Sequence, residues 1–173
     1  KTAGGKSHFF SKFVKNFKGR NDSENSLTVS VQNVSNNKYL KLYKLKSNLV
    51  NYLDDTLVSS VDFTHEDENV FLGFNASVFE TLKDDFNDKY EYIIPEITLD
   101  KNLLSDENYG NLDLLSNYKV RNYDTNKVTN FLINELNWTS KEFIHESGIK
   151  SKFLGNFKNI NYEAKNTKRF KED

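Results

Sequence analysis

Apolar and polar residues trade places at every second position through much of the chain. Leu27, Val29 and Val31 alternate with Thr28, Ser30 and Gln32, and Leu57, Val61 and Phe63 alternate with Ser60, Asp62 and Thr64. Val70, Leu72, Phe74, Ala76 and Val78 continue the pattern against Asn75 and Ser77. A period of two puts successive side chains on opposite faces of a strand, so each segment predicts one oily and one wet face. The most informative segment sets Leu112, Leu114, Tyr118 and Val120 against Asn111, Asp113, Asn117, Lys119 and Arg121. Its wet side is continuous, and it is longer than the usual strand of about five or six residues.

With one Pro and seven Gly, turns fall to clusters of Asn, Asp and Ser, whose side chains bond nearby backbone and tolerate left-handed conformations. Such clusters (19–25, 35–37, 51–55, 65–69, 83–89, 105–109, 123–127 and 139–141) cut the chain into pieces spaced like a run of strands. The prediction is an all-β antiparallel meander of about nine or ten strands, at 8–17, 26–34, 38–46, 56–65, 69–81, 89–101, 110–122, 127–138, 142–153 and 157–165. Shorter turns at 65–69, 123–127 and 139–141 predict an alternation with longer loops, as when one kind of turn emerges on one side of a barrel. In 9–17, Phe9, Phe13 and Phe17 share a face of either a helix or a strand. In 128–138, the Val, Thr, Phe, Ile and Trp content favours a strand.

Composition narrows the architecture. A mean hydropathy of -0.72 accompanies 14 Phe, 9 Tyr and one Trp, which is not a disordered composition. Basic and acidic residues nearly cancel, 24 against 25, which argues against a nucleic-acid partner because phosphate affinity needs a surplus of cations. No apolar run approaches the about 20 residues of a membrane-spanning helix, and with no Cys there is neither a disulfide nor a thiolate metal site. Lys1 at the start, no Met and no signal segment lead to the expectation of an internal fragment. Two architectures fit: a soluble sandwich, whose oily faces meet each other, and an outer-membrane barrel, whose oily faces meet lipid. Strand length favours the barrel, and Tyr90, Tyr92, Tyr123, Trp138 and Phe143 near strand ends suit an interfacial girdle.

Candidates for covalent chemistry are few. His8, His65 and His145 lack ligand spacing. The His65–Asn69 cluster could be drawn as a carboxylate cation site, but a solvated hairpin turn explains it more simply. There is no nucleophile elbow and no phosphate-cradling Gly loop. The expectation is a protein without enzymatic activity, cofactor or metal.

Three segments together resemble the lipopolysaccharide-assembly outer-membrane protein family of Gram-negative bacteria (LptD, also called organic solvent tolerance protein or OstA). SHFFSKFVKNF and LTVSVQNVSNNKYLKLY (7–17 and 27–43) are similar to an early barrel segment whose strand ends in Val-Ser-Asp/Asn-x-x-Tyr-Leu/Phe, here Val34, Ser35, Asn36, Tyr39 and Leu40. DKYEYIIPEITL (88–99) is similar to a strand with a tyrosine-rich approach to a proline, here Tyr90, Tyr92 and Pro95. GNLDLLSNYKVRNYDTNKVTNFLINEL (110–136) looks like the hairpin that follows, with a polar lumen face. The resemblance covers about residues 7–165, leaving a polar tail at 166–173.

It implies a single incomplete segment of a very large barrel in the cell outer membrane, serving lipopolysaccharide transport. The implied partners are lipopolysaccharide, a lipoprotein plugging the lumen, and periplasmic transport-bridge proteins. Leu112, Leu114, Tyr118 and Val120 would then face lipid, and Asp113, Asn117, Lys119 and Arg121 the lumen. The family's periplasmic jellyroll and common disulfides have no counterpart in this chain, so alone it is not expected to be a working translocon. The alternative is a soluble extracellular or periplasmic β-sandwich for adhesion or carbohydrate binding. On bottom-up grounds Pro95 marks an edge, bulge or bend, because proline cannot donate to a ladder.

Overall fold

A computed structural model describes residues 6–84, 89–123 and 127–166. The expected polar tail lies almost wholly outside these residues, as do the middles of the 83–89 and 123–127 turns. The chain is all-β and antiparallel. Eight strands form one sheet: β1 (His8–Lys18), β2 (Glu24–Val34), β3 (Thr56–Glu66), β4 (Val70–Thr81), β5 (Tyr90–Asp106), β6 (Gly110–Tyr123), β7 (Lys127–Thr139) and β10 (Leu154–Lys165). Each pairs with the next in that order, and two short strands, β8 (Phe143–Ile144) and β9 (Lys150–Ser151), pair only with each other. The outer strands β1 and β10 do not pair, so the sheet is an open meander and no closed barrel is seen. A sandwich needs two facing sheets of comparable size, and the described residues make one.

Two predicted strands are corrected. The segment 38–46 contains a short helix, α1 (Tyr39–Tyr43). The alternation of Leu40 and Leu42 imitates a strand, but Leu40 is fully buried while Leu42 points to solvent. Asn36 starts the turn: its side-chain oxygen accepts from the Lys38 N–H at 2.8 Å and its carbonyl from the Tyr39 N–H at 2.9 Å. Lys44, in the left-handed region at φ 46°, ends it. The segment 142–153 is not one strand but a small hairpin carrying β8 and β9, turned at its tip through Gly148 at φ 81°. The predicted strand at 157–165 lies within β10, which pairs with β7.

The short connections do not all leave one side. Turns after β1, β3 and β5 and the 140–153 excursion lie at one end of the sheet, the turn end. The long 35–55 segment and the ends of β4 and β6 lie at the other, the loop end.

Beta-5 is the longest strand, 17 residues, and carries two bulges. At the first, Ile94 and Pro95 together oppose the single Val120 of β6 and the single Ala76 of β4. One extra residue flips the alternation. Ile97 and Leu99 therefore rejoin the face of Tyr90 and Tyr92, where uninterrupted alternation would send them to the opposite side. Proline is tolerated within this central strand at the break in its ladders.

Gly110 opens β6 at φ 86°, and a Cβ there would run into the Thr139 carbonyl oxygen and the Ser140 backbone. Gly110→Ala is expected to destabilise the turn end by about 1 to 3 kcal/mol from backbone strain alone, read as a lowered urea midpoint; an unchanged midpoint would show that the backbone relaxes freely.

Candidate functional site

Paired residues in an antiparallel ladder project to the same side, so the registers assign every strand residue to one of two faces. One face carries Phe9, Phe13 and Phe17 of β1, Leu27, Val29 and Val31 of β2, and Val61 and Phe63 of β3. It continues through Leu72, Phe74 and Val78 of β4, Tyr92, Ile97 and Leu99 of β5, and Leu132, Leu136 and Trp138 of β7. Leu112, Leu114, Tyr118 and Val120 of β6 lie on this face, and Asp113, Asn117, Lys119 and Arg121 lie on the other.

The oily face is covered only at the loop end, where Leu57 on this face is buried in the cluster with Leu40 and Val50. Phe74 is 38 % and Tyr118 36 % exposed, although both lie on inner strands of the sheet, and Phe13 on the outer strand β1 is 53 % exposed. The buried apolar side chains are Val34, Leu40, Val50, Leu57 and Leu82, and they cluster at the loop end under the 35–55 segment. The sheet is a single layer with a small local core.

The opposite face satisfies its polar groups across strands. The four polar β6 residues each meet a partner on β5. Lys119 Nζ lies 3.3 Å from Glu96, Arg121 donates to Glu91 at 2.6 Å, Asn117 donates to the Thr98 hydroxyl at 3.0 Å, and Asp113 accepts from Asn102 at 2.8 Å. On β3 and β4, Asp62 accepts from the Ser60 hydroxyl and from Asn75, which in turn accepts from Ser77. Exposed ion pairs of this kind stabilise by about 0.2 to 1 kcal/mol each, so the ladder chiefly defines a hydrated wall. Sequence reading had no access to Glu91, Glu96, Thr98 and Asn102 as partners, because cross-strand register is not written in local pattern.

Segregation is incomplete, since Phe71, Phe79, Ile93, Leu115, Phe131 and Ile133 share the wet face, and it fails at β10. Ile160 and Tyr162 point to the wet face beside Ile133 and Phe131, with the Phe131 and Tyr162 rings 4.7 Å apart, while Asn159, Asn161 and Glu163 point to the oily face. The oily band thus runs from β1 to β7.

The motif residues at 34–40 gather around the small core. Val34 and Leu40 are in it, the Ser35 hydroxyl accepts from the Ser7 N–H at 2.8 Å, and the Tyr39 hydroxyl lies 3.0 Å from Nδ1 of His8. The Tyr39 ring is 4.7 Å from Tyr43, one helical turn on. Tyr90 and Tyr92 share the oily face at the loop end, with ring centroids 6.3 Å apart. Beside them Glu80 is buried and meets Lys89 at 2.6 Å; this hydrogen bond raises the Lys89 ammonium above its ordinary pKa.

At the 65–69 turn Asp67 accepts backbone N–H groups of Asn69 and Val70, both at 2.9 Å. These bonds, the one from Asn69 first, and nearby His65 hold its carboxyl below the ordinary value of 3.8. A lowered folded pKa means the turn gains from the charged form above the ordinary value and loses that gain as pH falls through the folded one. Asn69 and Val70 amide protection should therefore fall only in acid below 3.8, and Asp67→Ala should remove that dependence. Protection that is flat down to strong acid would contradict this. Among the described residues no group of three or more His, Cys, Asp or Glu is placed to hold a metal ion.

Comparison with protein-family models, with curated proteins and with solved structures finds no match to this chain.

Proposed function

We propose that this sheet is a sector of a large outer-membrane β-barrel of the lipopolysaccharide-assembly kind, with the oily face toward lipid and the wet face toward the lumen. The observation that carries it is the largely exposed oily face, present on seven successive strands, interrupted by Lys15, Lys101 and the Ser116–Asn134 pair, and backed by a polar ladder. In water such a surface is a liability, because monomeric soluble proteins rarely expose contiguous apolar patches above a few hundred Å². Against hydrocarbon it is matched. Strand length supports the same reading: an 11-residue strand such as β1 or β2 is about 36 Å long and, tilted by about 45°, crosses about 25 Å, the height of a barrel's apolar band. The unpaired edges of β1 and β10 are consistent with a sector that continues on both sides.

In this reading the protein acts in the outer membrane as a transport component without covalent chemistry. Its ligand is lipopolysaccharide, whose sugars and phosphates pass the hydrated wall of Ser, Thr, Asn and paired charges. A lumen-plugging lipoprotein and periplasmic bridge proteins are the proposed partners, on the strength of the segments 27–43, 88–99 and 110–136. The test is photocrosslinking in Gram-negative cells, with a photoreactive residue at Asn117 or Ser77 on the wet face and at Leu114 on the oily face. Lipopolysaccharide adducts at Asn117 and Ser77, with the protein in the outer-membrane fraction, are expected. A soluble protein without adducts at either face would overturn the reading.

A further inference from the structure

The excursion between β7 and β10 is a hairpin with a closed neck and a bare apolar surface. At the neck the Ser140 N–H donates to the Phe153 carbonyl at 2.9 Å, and the Ser140 hydroxyl accepts from the Phe153 N–H at 2.8 Å. At the tip the His145 N–H donates to Ile149 and the Gly148 N–H to His145, both at 2.8 Å. From neck to tip the chain shows Phe143, Ile144, Ile149 and Phe153, which are 43 %, 67 %, 63 % and 59 % exposed. Two residue pairs cannot bury these side chains, and a two-stranded hairpin is marginal in water without a surface to pack on.

Its place in the fold says what that surface is. The hairpin leaves the sheet beside Trp138, on the last pair of the oily face, where Leu112, Trp138 and Gly155 lie in register. Gly155 has no side chain to hold the indole off β10. The Trp138 N–H donates to the Tyr109 carbonyl at 2.9 Å, and Tyr109 itself is exposed. A tryptophan at a strand end, apolar body toward the oily band and N–H toward the turn, marks the membrane–water boundary. The hairpin begins at that level. Its cations suit headgroups: Lys141 lies 5.4 Å from the Phe143 ring centroid, Lys150 pairs with Glu142 at 2.9 Å, and Lys152 makes no ion pair among the described residues. Apolar rings and branched chains beside lysine stems are the combination that settles at an interface.

We propose that the 140–153 hairpin is an interfacial anchor that sinks its apolar side chains into the headgroup region of the bilayer at the turn end of the sheet. It rests on the membrane reading of the oily face. Trp138 is the chain's one tryptophan, so Trp138→Phe gives a silent background in which Ile149→Trp or Phe143→Trp reports the hairpin and Leu114→Trp reports the oily face. The full chain is reconstituted in vesicles of phosphatidylcholine and phosphatidylglycerol with bromines placed either near the headgroups or near the chain ends. The hairpin tryptophan should emit to the blue and be quenched about twofold more by the shallow bromines, as fits a group about 5 to 10 Å deep. Leu114→Trp should be quenched more by the deep ones. Quenching at Leu114→Trp with none at either hairpin position would overturn the anchor and leave the membrane reading standing. Silence at all three positions would overturn both. A blue shift in the hairpin that grows with protein concentration in lipid-free detergent would name a second copy as the occupant and overturn the anchor.

Discussion

If the oily face meets lipid, replacing Leu114 by Arg should destabilise the protein in a bilayer by about 1 to 3 kcal/mol, between the small penalty of a lipid-facing cation near an interface and the larger one at the midplane. Leu114 pairs with Leu136 of β7 and with Lys101 of β5, one same-face pair inward from Leu112 and Trp138, and is followed on its face by Ser116. A guanidinium there meets no carboxylate on its own face: the acidic residues of β5 nearest in register, Glu96 and Asp100, point the other way. Asp113→Ala should cost little, because Asp113 looks onto water and loses one bond to Asn102. Urea titration in vesicles measures both. Equal effects of the two substitutions would mean that the two faces see the same medium.

Leu40→Ala should cost about 2 to 5 kcal/mol, the range for removing a buried leucine from a core that only partly collapses. Leu40 is fully buried, in the cluster that joins α1 and the 35–55 segment to the ends of β2, β3 and β4. The segment is braced by polar contacts around that cluster. Gln32 donates to the Leu49 carbonyl at 2.7 Å and accepts from the Val58 N–H at 2.9 Å, and the Leu82 N–H donates to Asp55 at 2.8 Å. Amide exchange through 39–57 should therefore rise together in Leu40→Ala, whereas Leu42→Ala, at an exposed site, should leave it unchanged. The two effects separate by environment. Loss of Leu40 acts on a protein core and should register in detergent as in lipid, while the Leu114→Arg penalty should shrink where no hydrocarbon slab surrounds the sheet. A Leu40→Ala protein with unchanged exchange would show that this lobe has no cooperative core.

What the sequence made legible follows from period and punctuation. Strands β2, β3 and β6 alternate between polar turn clusters, β4 does so after Val70–Leu72, and β7, where Phe131–Ile133 breaks the alternation, shows in its composition; the two faces of β6 can be read from its residues alone. The helix at Tyr39–Tyr43 escaped because Leu40 and Leu42 lie two apart, and burial, which distinguishes them, depends on strands far away in sequence. The 142–153 hairpin did leave a signal: Ser147-Gly148 is a turn dipeptide inside a segment read as one strand. Beta-5 carried another, since Tyr90 and Tyr92 keep one parity and Ile97 and Leu99 the other, which a single bulge reconciles. The reversal at β10 was visible only as alternation. That Ile160 and Tyr162 share a side with Lys119 and Glu135 depends on register, and so does the pairing of Arg121 with Glu91.

The central claim, that one face of this sheet meets lipid and the other water, is tested most directly by nitroxide labels placed singly at 112, 113, 114, 117, 118, 119, 120 and 121 in the membrane-reconstituted protein. Collision with oxygen, which concentrates in hydrocarbon, should exceed collision with a water-soluble nickel complex at Leu112, Leu114, Tyr118 and Val120. The order should reverse at Asp113, Asn117, Lys119 and Arg121. Labels that report the inverse pattern, or no alternation along β6, would contradict the account.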